Sequence, residues 1–197
     1  GAKVYSTVKR IQDVNLFVVG EAEVLFPKVV DHLAGKVTDL EMRRDIVNRK
    51  TYVTGHTGPE VFDIRKHAFR WSDRDLISED EALPLETARG CIFKCKFCSY
   101  PGLGKTKYDY LRDVDKIAEE IEDNRSRFGV THYNLLDDTF NDSAFKVNTW
   151  ATMVKGLGFN IKYTGYLRAD LLDTFHGSAS KLQETGLVSC FLGDRKS

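Results

Sequence analysis

The sequence has few cysteines, few prolines, no excess of either charge and no long apolar run. Its 4 cysteines among 197 residues argue against a secreted disulfide scaffold. Basic and acidic side chains number 29 each, so the formal net charge is zero, and charge gives no signal for nucleic acid or an anionic membrane. Apolar runs such as Leu16–Val19 are far shorter than a bilayer span.

The remaining composition is that of an ordinary soluble globular chain, with 42% hydrophobic residues and 4 prolines. No basic and then apolar leader is visible at the N-terminus. Clustered cysteines are typical of a reducing compartment rather than of an oxidising one. The sequence therefore predicts a cytoplasmic protein without a membrane partner.

Three of the four cysteines lie within eight residues, with the spacing C-x3-C-x2-C at Cys91, Cys95 and Cys98. A run this short cannot form two disulfides, but three thiolates on one loop can hold a metal centre. Structural zinc normally takes four protein ligands, so zinc would need Cys190 or a histidine in addition. A cubane iron-sulfur cluster with three thiolates keeps one iron open for a small molecule. Both centres are compatible with the spacing, and the open iron favours a reactive site.

This loop resembles the cluster loop of the radical S-adenosylmethionine enzymes, because the spacing is the same and an aromatic residue, Phe97, precedes the last cysteine. The flanking segments at residues 85–90 and 136–142 resemble more narrowly the branch that carries a cobalamin-binding domain. The resemblance implies a 4Fe-4S cluster on Cys91, Cys95 and Cys98. It also implies reductive cleavage of S-adenosylmethionine to a 5'-deoxyadenosyl radical, with cobalamin-assisted methylation among the outcomes. A reductant such as flavodoxin or ferredoxin is implied as a partner, whereas the substrate is not.

The resemblance also implies residues that bind S-adenosylmethionine. Phe97 occupies the family's adenine position, and Tyr100 is a second candidate for the same wall. Asp137 and Asp138 stand where the family places an acceptor for the amino group, although an aspartate-rich turn also caps helices. Arg168 follows a predicted strand, where its planar fork suits the cofactor carboxylate and a surface pair with Asp170 or Asp173 equally well.

From Leu83 onward, apolar strand patterns alternate with amphipathic helix patterns, which predicts parallel strands joined by crossover helices. About four such units fit in residues 83–197, which predicts an α/β fold class. The resemblance implies that these units form a truncated partial barrel of the radical S-adenosylmethionine type. Residues 1–35 resemble the C-terminal part of a doubly wound cobalamin-binding-like domain, with a strand at 16–19 and a helix up to Gly35. Residues 36–82 carry no clear period, which predicts a linker.

One departure from the family pattern concerns the chain end. The branch continues its fourth strand as Gly-Ile-Glu-Ser, whereas here Gly193 is followed by Asp194, and Arg195 stands at the glutamate position. The lost glutamate and the small number of strands motivate a competing hypothesis, an inactive or zinc-stapled fragment that acts as a binding module.

Overall fold

The computed structural model describes residues 16–19, 22–36, 43–45, 50–54, 63–93, 95–96, 98 and 110–193. Contacts divide the chain into two units, Gly1–Asp63 and Ile64–Ser197. This division lies between the two boundaries that the sequence suggests, at residues 35 and 82. The three-part domain assignment stays a prediction.

The first unit contains a three-stranded sheet and one described helix. Strand β1 (Leu16–Val19) and helix α1 (Leu25–Leu33) confirm the predicted strand and helix, and Gly35 adopts φ +73° just after α1. Strands β2 (Arg43–Asp45) and β3 (Lys50–Thr54) come from the stretch expected to be a linker. The sheet order is β1-β3-β2, with β3 parallel to β1 and antiparallel to β2. Short strands rich in charge carry no apolar alternation, so their pairing is not visible in the sequence.

The second unit is built on a four-stranded parallel sheet in sequence order, β4-β5-β6-β7. The strands span Ala82–Leu85, His132–Leu135, Lys162–Arg168 and Leu187–Gly193. The helices are α2 (Val114–Phe128), α3 (Ala144–Gly156), α4 (Ala169–Thr174) and α5 (Ser178–Glu184), and a short 3-10 turn covers Ile64–Lys66. The predicted strand-helix alternation and parallel sheet are thus confirmed.

One face of this sheet carries the core. Alternate residues of β4, β5 and β6 are buried, as expected where helices cover one face of a sheet. Trp150 of α3 stands edge-on to Phe140 and to Tyr163, with ring centres 5.3 Å and 5.1 Å apart. Burying each such large side chain contributes on the order of 2 kcal/mol, so this face fixes the register of the strands.

The starts of two helices show where local sequence signals were enough to predict a helix boundary and where they were not. The sequence predicts a helix near Ser143 with Asp142 or Ser143 as its cap, and α3 begins after Ser143, whose hydroxyl accepts the Lys146 N–H at 3.2 Å. The sequence also predicts a helix from Tyr108 to Phe128, but α2 begins at Val114. The reason is tertiary, because the preceding residues pair with the chain that leaves β4: Arg89 N donates to Tyr110 O and Arg112 N donates to Thr87 O.

The carboxyl ends of all four parallel strands lie at one edge of the sheet. The chain leaves β4 there toward the cysteines, leaves β5 toward Asp137 and Asp138, and leaves β6 at Arg168. Every residue that the sequence selected for a site, where it is described, lies at this edge. Among the described helices, none is long and apolar enough to cross a membrane.

Candidate cofactor site at the carboxyl ends of the strands

The cysteine segment is connected to β4 through residues 86–90, where Gly90 adopts φ +107°. Cys91, Cys95 and Cys98 are each half-buried, and no described cysteine forms a disulfide. Cys98 N donates to Cys95 O at 3.1 Å, which forms a turn between the last two cysteines. Phe97 and Tyr100, the two predicted adenine contacts, lie outside the described residues, and their roles stay predictions.

Cys91 is placed at the end of β5. Its Sγ lies 3.8 Å from Thr139 Oγ1. Partial burial raises the pKa of the Cys91 thiol, and the nearby carboxylates of Asp138 and Asp142 raise it further, while hydrogen bonds from Phe93 N–H and Thr139 oppose them. In the metal-free chain Cys91 is therefore a less acidic thiol than usual, next to a carboxylate-rich turn.

Arg168 lies against the same loop from the end of β6. Its guanidinium carbon is 3.9 Å from the centre of the Phe93 ring, and its Nη1 is 4.0 Å from Cys95 Sγ. Its Nε and Nη2 donate to the two carboxylate oxygens of Asp170, at 3.1 Å and 3.0 Å. This pairing, above all, raises the pKa of the Arg168 guanidinium. The predicted pair with Asp170 exists, but it lies beneath the cysteine loop, since only 13% of the Arg168 side chain is exposed.

Asp137 and Asp138 are adjacent but have different surroundings. Asp137 is 1% exposed. Its Oδ1 accepts the backbone N–H of Thr87 at 2.8 Å and of Ala88 at 3.1 Å, and its Oδ2 accepts the Thr87 hydroxyl. Lys146 Nζ lies 2.6 Å from the same Oδ2. Asp138 is half-buried and close enough to Cys91 to raise the pKa of its thiol.

Lys146 belongs to a buried charge cluster that the sequence did not reveal. Its Nζ also lies 3.9 Å from Asp142 Oδ2, and the Tyr110 hydroxyl donates to that oxygen at 2.6 Å. Burial raises the pKa of the Asp142 carboxyl, while Lys146 and Tyr110 oppose the shift. A lysine four residues after an aspartate at a helix start usually indicates an exposed pair, so the sequence offered no signal of this burial.

Asn141 is a second residue that sequence reasoning missed. It is completely buried. Its Nδ2 donates to Arg168 O at 2.9 Å, and its Oδ1 accepts the Arg168 N–H at 2.8 Å. The Phe140 N–H also donates to Tyr166 O at 2.8 Å. The segment after β5 thus continues the pairing with β6 and fixes the backbone from which the Arg168 side chain extends.

The described residues contain no group of three or more histidine, cysteine, aspartate or glutamate side chains arranged to hold a metal ion. The candidate ligand set is the three cysteines of the loop. Its chemistry nevertheless fits a thiolate-bound cluster. Three free thiols share one loop, with Cys91 at the end of β5 and Cys95 beside Arg168 at the end of β6. Cations next to sulfur favour the thiolate that metals require.

Comparison with protein families gives a match to the Radical SAM superfamily over residues 85–188. The matched region begins at the last residue of β4, includes all three clustered cysteines and extends into β7. It covers more than half of the chain.

Among curated proteins, the chain is 24% identical over 195 residues to the uncharacterized methyltransferase PH0819 of Pyrococcus horikoshii, which covers 95% of this chain and 41% of that protein. Among solved structures, it is similar to the cobalamin-dependent S-adenosylmethionine radical enzyme OxsB with aqua-cobalamin and S-adenosylmethionine bound, at TM-score 0.54 and 16% identity, over 88% of this chain and 27% of that one. The same enzyme with aqua-cobalamin alone gives TM-score 0.54 over 98% of this chain and 29% of that one. The chain thus spans less than half the length of these relatives. At this identity, the structural likeness confirms the predicted fold, an α/β partial barrel.

Proposed function

The chain belongs to the radical SAM superfamily, and from that membership we propose that it ligates a 4Fe-4S cluster through Cys91, Cys95 and Cys98 and cleaves S-adenosylmethionine reductively. The bound cluster would supply one electron to the sulfonium, which releases methionine and a 5'-deoxyadenosyl radical that abstracts a hydrogen atom. One observation carries the proposal. The C-x3-C-x2-C loop lies inside the matched region and leaves the carboxyl end of β4, the edge at which barrels of this kind place their chemistry.

We assign the amino group of S-adenosylmethionine to Asp138. An ammonium needs a carboxylate or carbonyl acceptor, and the oxygens of Asp137 already accept three hydrogen bonds and face the Lys146 ammonium. Asp138 stands next to Cys91, as its effect on that thiol indicates. A half-buried position leaves it accessible from the sheet edge.

We assign the carboxylate of S-adenosylmethionine to Arg168. Asp170 takes its Nε and Nη2, while Nη1 points toward Cys95 Sγ. A guanidinium held by one carboxylate is a rigid donor for a second one. Phe97 and Tyr100 complete the proposal as walls for the adenine, on the strength of the motif alone.

Methyl transfer assisted by cobalamin is the reaction that we propose for the whole protein. The names of the relatives support it, since one is named an uncharacterized methyltransferase and the other a cobalamin-dependent S-adenosylmethionine radical enzyme. A cobalamin-binding-like domain that ends at residue 35 is part of the same proposal. A flavodoxin or ferredoxin would reduce the cluster, and free cysteines agree with a reducing cytoplasm.

Anaerobic reconstitution of the full chain tests the cluster. We expect about four iron and four sulfide per chain, and a dithionite-reduced sample that forms 5'-deoxyadenosine from S-adenosylmethionine. Cys95→Ser should lose most of the iron, whereas Cys190→Ser, which changes an exposed cysteine outside the loop, should keep it. One equivalent of zinc without iron after anaerobic purification, or full iron content in Cys95→Ser, would contradict the proposal and favour a binding module.

A second measurement tests the assignment of Asp138. Because a hydrogen bond to a charged group contributes about 1.5–3 kcal/mol, Asp138→Asn should weaken binding of S-adenosylmethionine by about tenfold to a hundredfold. Iron content should remain that of the unmodified chain. Unchanged affinity at full iron content would show that Asp138 does not receive the amino group.

A further inference from the structure

The chain that enters the cysteine loop is held by one buried carboxylate. Strand β4 ends at Leu85, whose carbonyl accepts the Leu136 N–H at 3.0 Å as the last step of its ladder with β5. The next backbone donors, Thr87 N–H and Ala88 N–H, point instead at Asp137 Oδ1. Buried backbone donors need an acceptor, so the Asp137 side chain takes the place of a strand partner.

Residues 87–89 are also held by backbone hydrogen bonds to residues 110–112. Thr87 O accepts the Arg112 N–H at 3.0 Å, and Arg89 N donates to Tyr110 O at 2.9 Å. Residues 87–89 are therefore fixed from two sides, and Cys91 follows only three residues after Ala88. With the entry fixed, the freedom of the first thiol is limited to the short stretch through Gly90.

Only an ionised carboxylate suits the position of Asp137. It accepts two backbone N–H groups and one hydroxyl, and a carboxylate has about four lone-pair sites and no donor. The Lys146 ammonium, 2.6 Å away and 6% exposed in its side chain, neutralises the buried charge. An amide of the same shape would turn one oxygen into a donor that faces other donors.

We propose that Asp137, neutralised by Lys146, is a positioning residue that fixes the entry of the cysteine loop and thereby the placement of Cys91. The two adjacent carboxylates then differ in role, since Asp137 orders the protein backbone and Asp138 receives the cofactor. As a statement about the cluster it rests on the proposed function, whereas the ordering of the loop is measurable without any metal.

The test uses the full metal-free chain and three variants. Asp137→Asn removes the charge, Thr87→Val removes only the hydroxyl donor, and Lys146→Arg keeps the counter-charge. The control is Asp123→Asn. Asp123 is a partly buried carboxylate on α2, paired with Arg127 at 2.9 Å, and its ion-pair partners, Arg127 and Arg70, do not belong to the loop entry. Amide hydrogen exchange at residues 87 and 88 and the alkylation rate of Cys91 are the readouts.

We expect Asp137→Asn to speed amide exchange at Thr87 and Ala88 by about tenfold or more, since both hydrogen bonds pass from a charged to a neutral acceptor and the new amide NH2 faces the Lys146 ammonium. Alkylation of Cys91 should rise by a similar factor. Thr87→Val should give a smaller increase, and Lys146→Arg should stay near the unmodified chain. Asp123→Asn should lower overall stability slightly without changing either readout. Equal rates of amide exchange and of Cys91 alkylation in Asp137→Asn and the unmodified chain would overturn the proposal. If Asp137→Asn does not fold, unchanged rates in Thr87→Val would overturn it.

Reconstituted samples separate this proposal from the proposed function. If the unmodified chain takes up iron, Asp137→Asn should bind less of it and broaden the electron paramagnetic resonance signal of the reduced cluster, relative to Asp123→Asn. A narrow signal at full iron content in Asp137→Asn would count against the positioning role. If the unmodified chain binds no iron while amide exchange is faster in Asp137→Asn, the proposed cluster is wrong. The proposal that Asp137 orders the loop entry then still holds.

Discussion

The guanidinium carbon of Arg168 lies 3.9 Å from the centre of the Phe93 ring, so the end of β6 contacts the middle of the cysteine loop directly. Cation-π contacts contribute about 0.5–2 kcal/mol, with the larger values where water is excluded. Asp170 holds the guanidinium in place by accepting hydrogen bonds from its Nε and Nη2. A strand end and a loop 75 residues apart in sequence are thereby joined at the candidate site.

A double-mutant cycle on this contact should detect coupling. Arg168→Lys and Phe93→Leu each remove the stacked geometry, so together they should cost about 1 kcal/mol less than the sum of the two single changes. The coupling energy is measured from the free energies of unfolding in urea of the unmodified chain, the two single variants and the double variant. The Arg125 and Phe159 pair, at 4.0 Å, provides a comparison cycle away from the site, and strict additivity at Arg168 and Phe93 would contradict the prediction.

Asn141→Ala should lower the free energy of unfolding by about 3 kcal/mol. The change leaves the N–H and C=O of Arg168 without their side-chain partners in a buried position, and each unsatisfied group costs about 1–3 kcal/mol. Asn134→Ala is the matched control, because Asn134 is exposed and accepts only the Thr164 hydroxyl among the bonds described, at 2.7 Å. Chemical denaturation of both variants gives the two free energies of unfolding. Similar losses of stability in Asn141→Ala and Asn134→Ala would contradict the prediction.

Gly186→Ala should prevent stable folding or cost more than about 3 kcal/mol. Gly186 adopts φ +104°, and a Cβ there would stand 2.0 Å from the backbone oxygen of Ile161, so backbone has to move. Gly158 also has a positive φ, +71°, but has nothing within 4 Å of that position. Gly158→Ala should therefore cost only about 1–2 kcal/mol. Thermal unfolding followed by circular dichroism compares the two.

Stability should fall as the pH rises from about 10 to about 12. Burial raises the pKa of Tyr133 from its ordinary value near 10 to about 12. In that window the unfolded chain loses the phenol proton while the folded chain keeps it, so stability declines by up to about 1.4 kcal/mol per pH unit. The pKa of Tyr163 is raised by burial as well, so it contributes in the same direction.

Tyr133→Phe tests this dependence. The variant should flatten the decline above pH 10 and change stability little near pH 7, because the hydrogen bonds that the Tyr133 hydroxyl donates to the carbonyls of Ile121 and Val130 are long, both 3.4 Å. Urea unfolding at several pH values gives the slope. A slope identical to that of the unmodified chain would show that Tyr133 does not ionise differently in the two states.

Local patterns predicted the second unit well. Apolar period, with a cap at Asp142 or Ser143, located α3, and apolar runs predicted strands at 130–136, 160–167 and 187–192, within a few residues of β5, β6 and β7. They placed the start of α2 too early, because Tyr110 and Arg112 bond to the chain that leaves β4 rather than to their own neighbours. They did not locate β2 and β3 within the predicted linker, where β3 pairs with the distant β1 and β2 pairs with β3.

The sequence by itself determined the spacing of Cys91, Cys95 and Cys98 and the alternation of strands and helices that brings every strand end to one edge. Both depend on residues close together in the chain, where period and spacing are visible. Only the tertiary structure decided that Asp137 serves the backbone of Thr87 and Ala88, and that Arg168 lies beneath Phe93. Two adjacent carboxylates are chemically equal in the sequence, and the role of Asp137 arises from the backbone donors of Thr87 and Ala88, about 50 residues away, that folding brings to it.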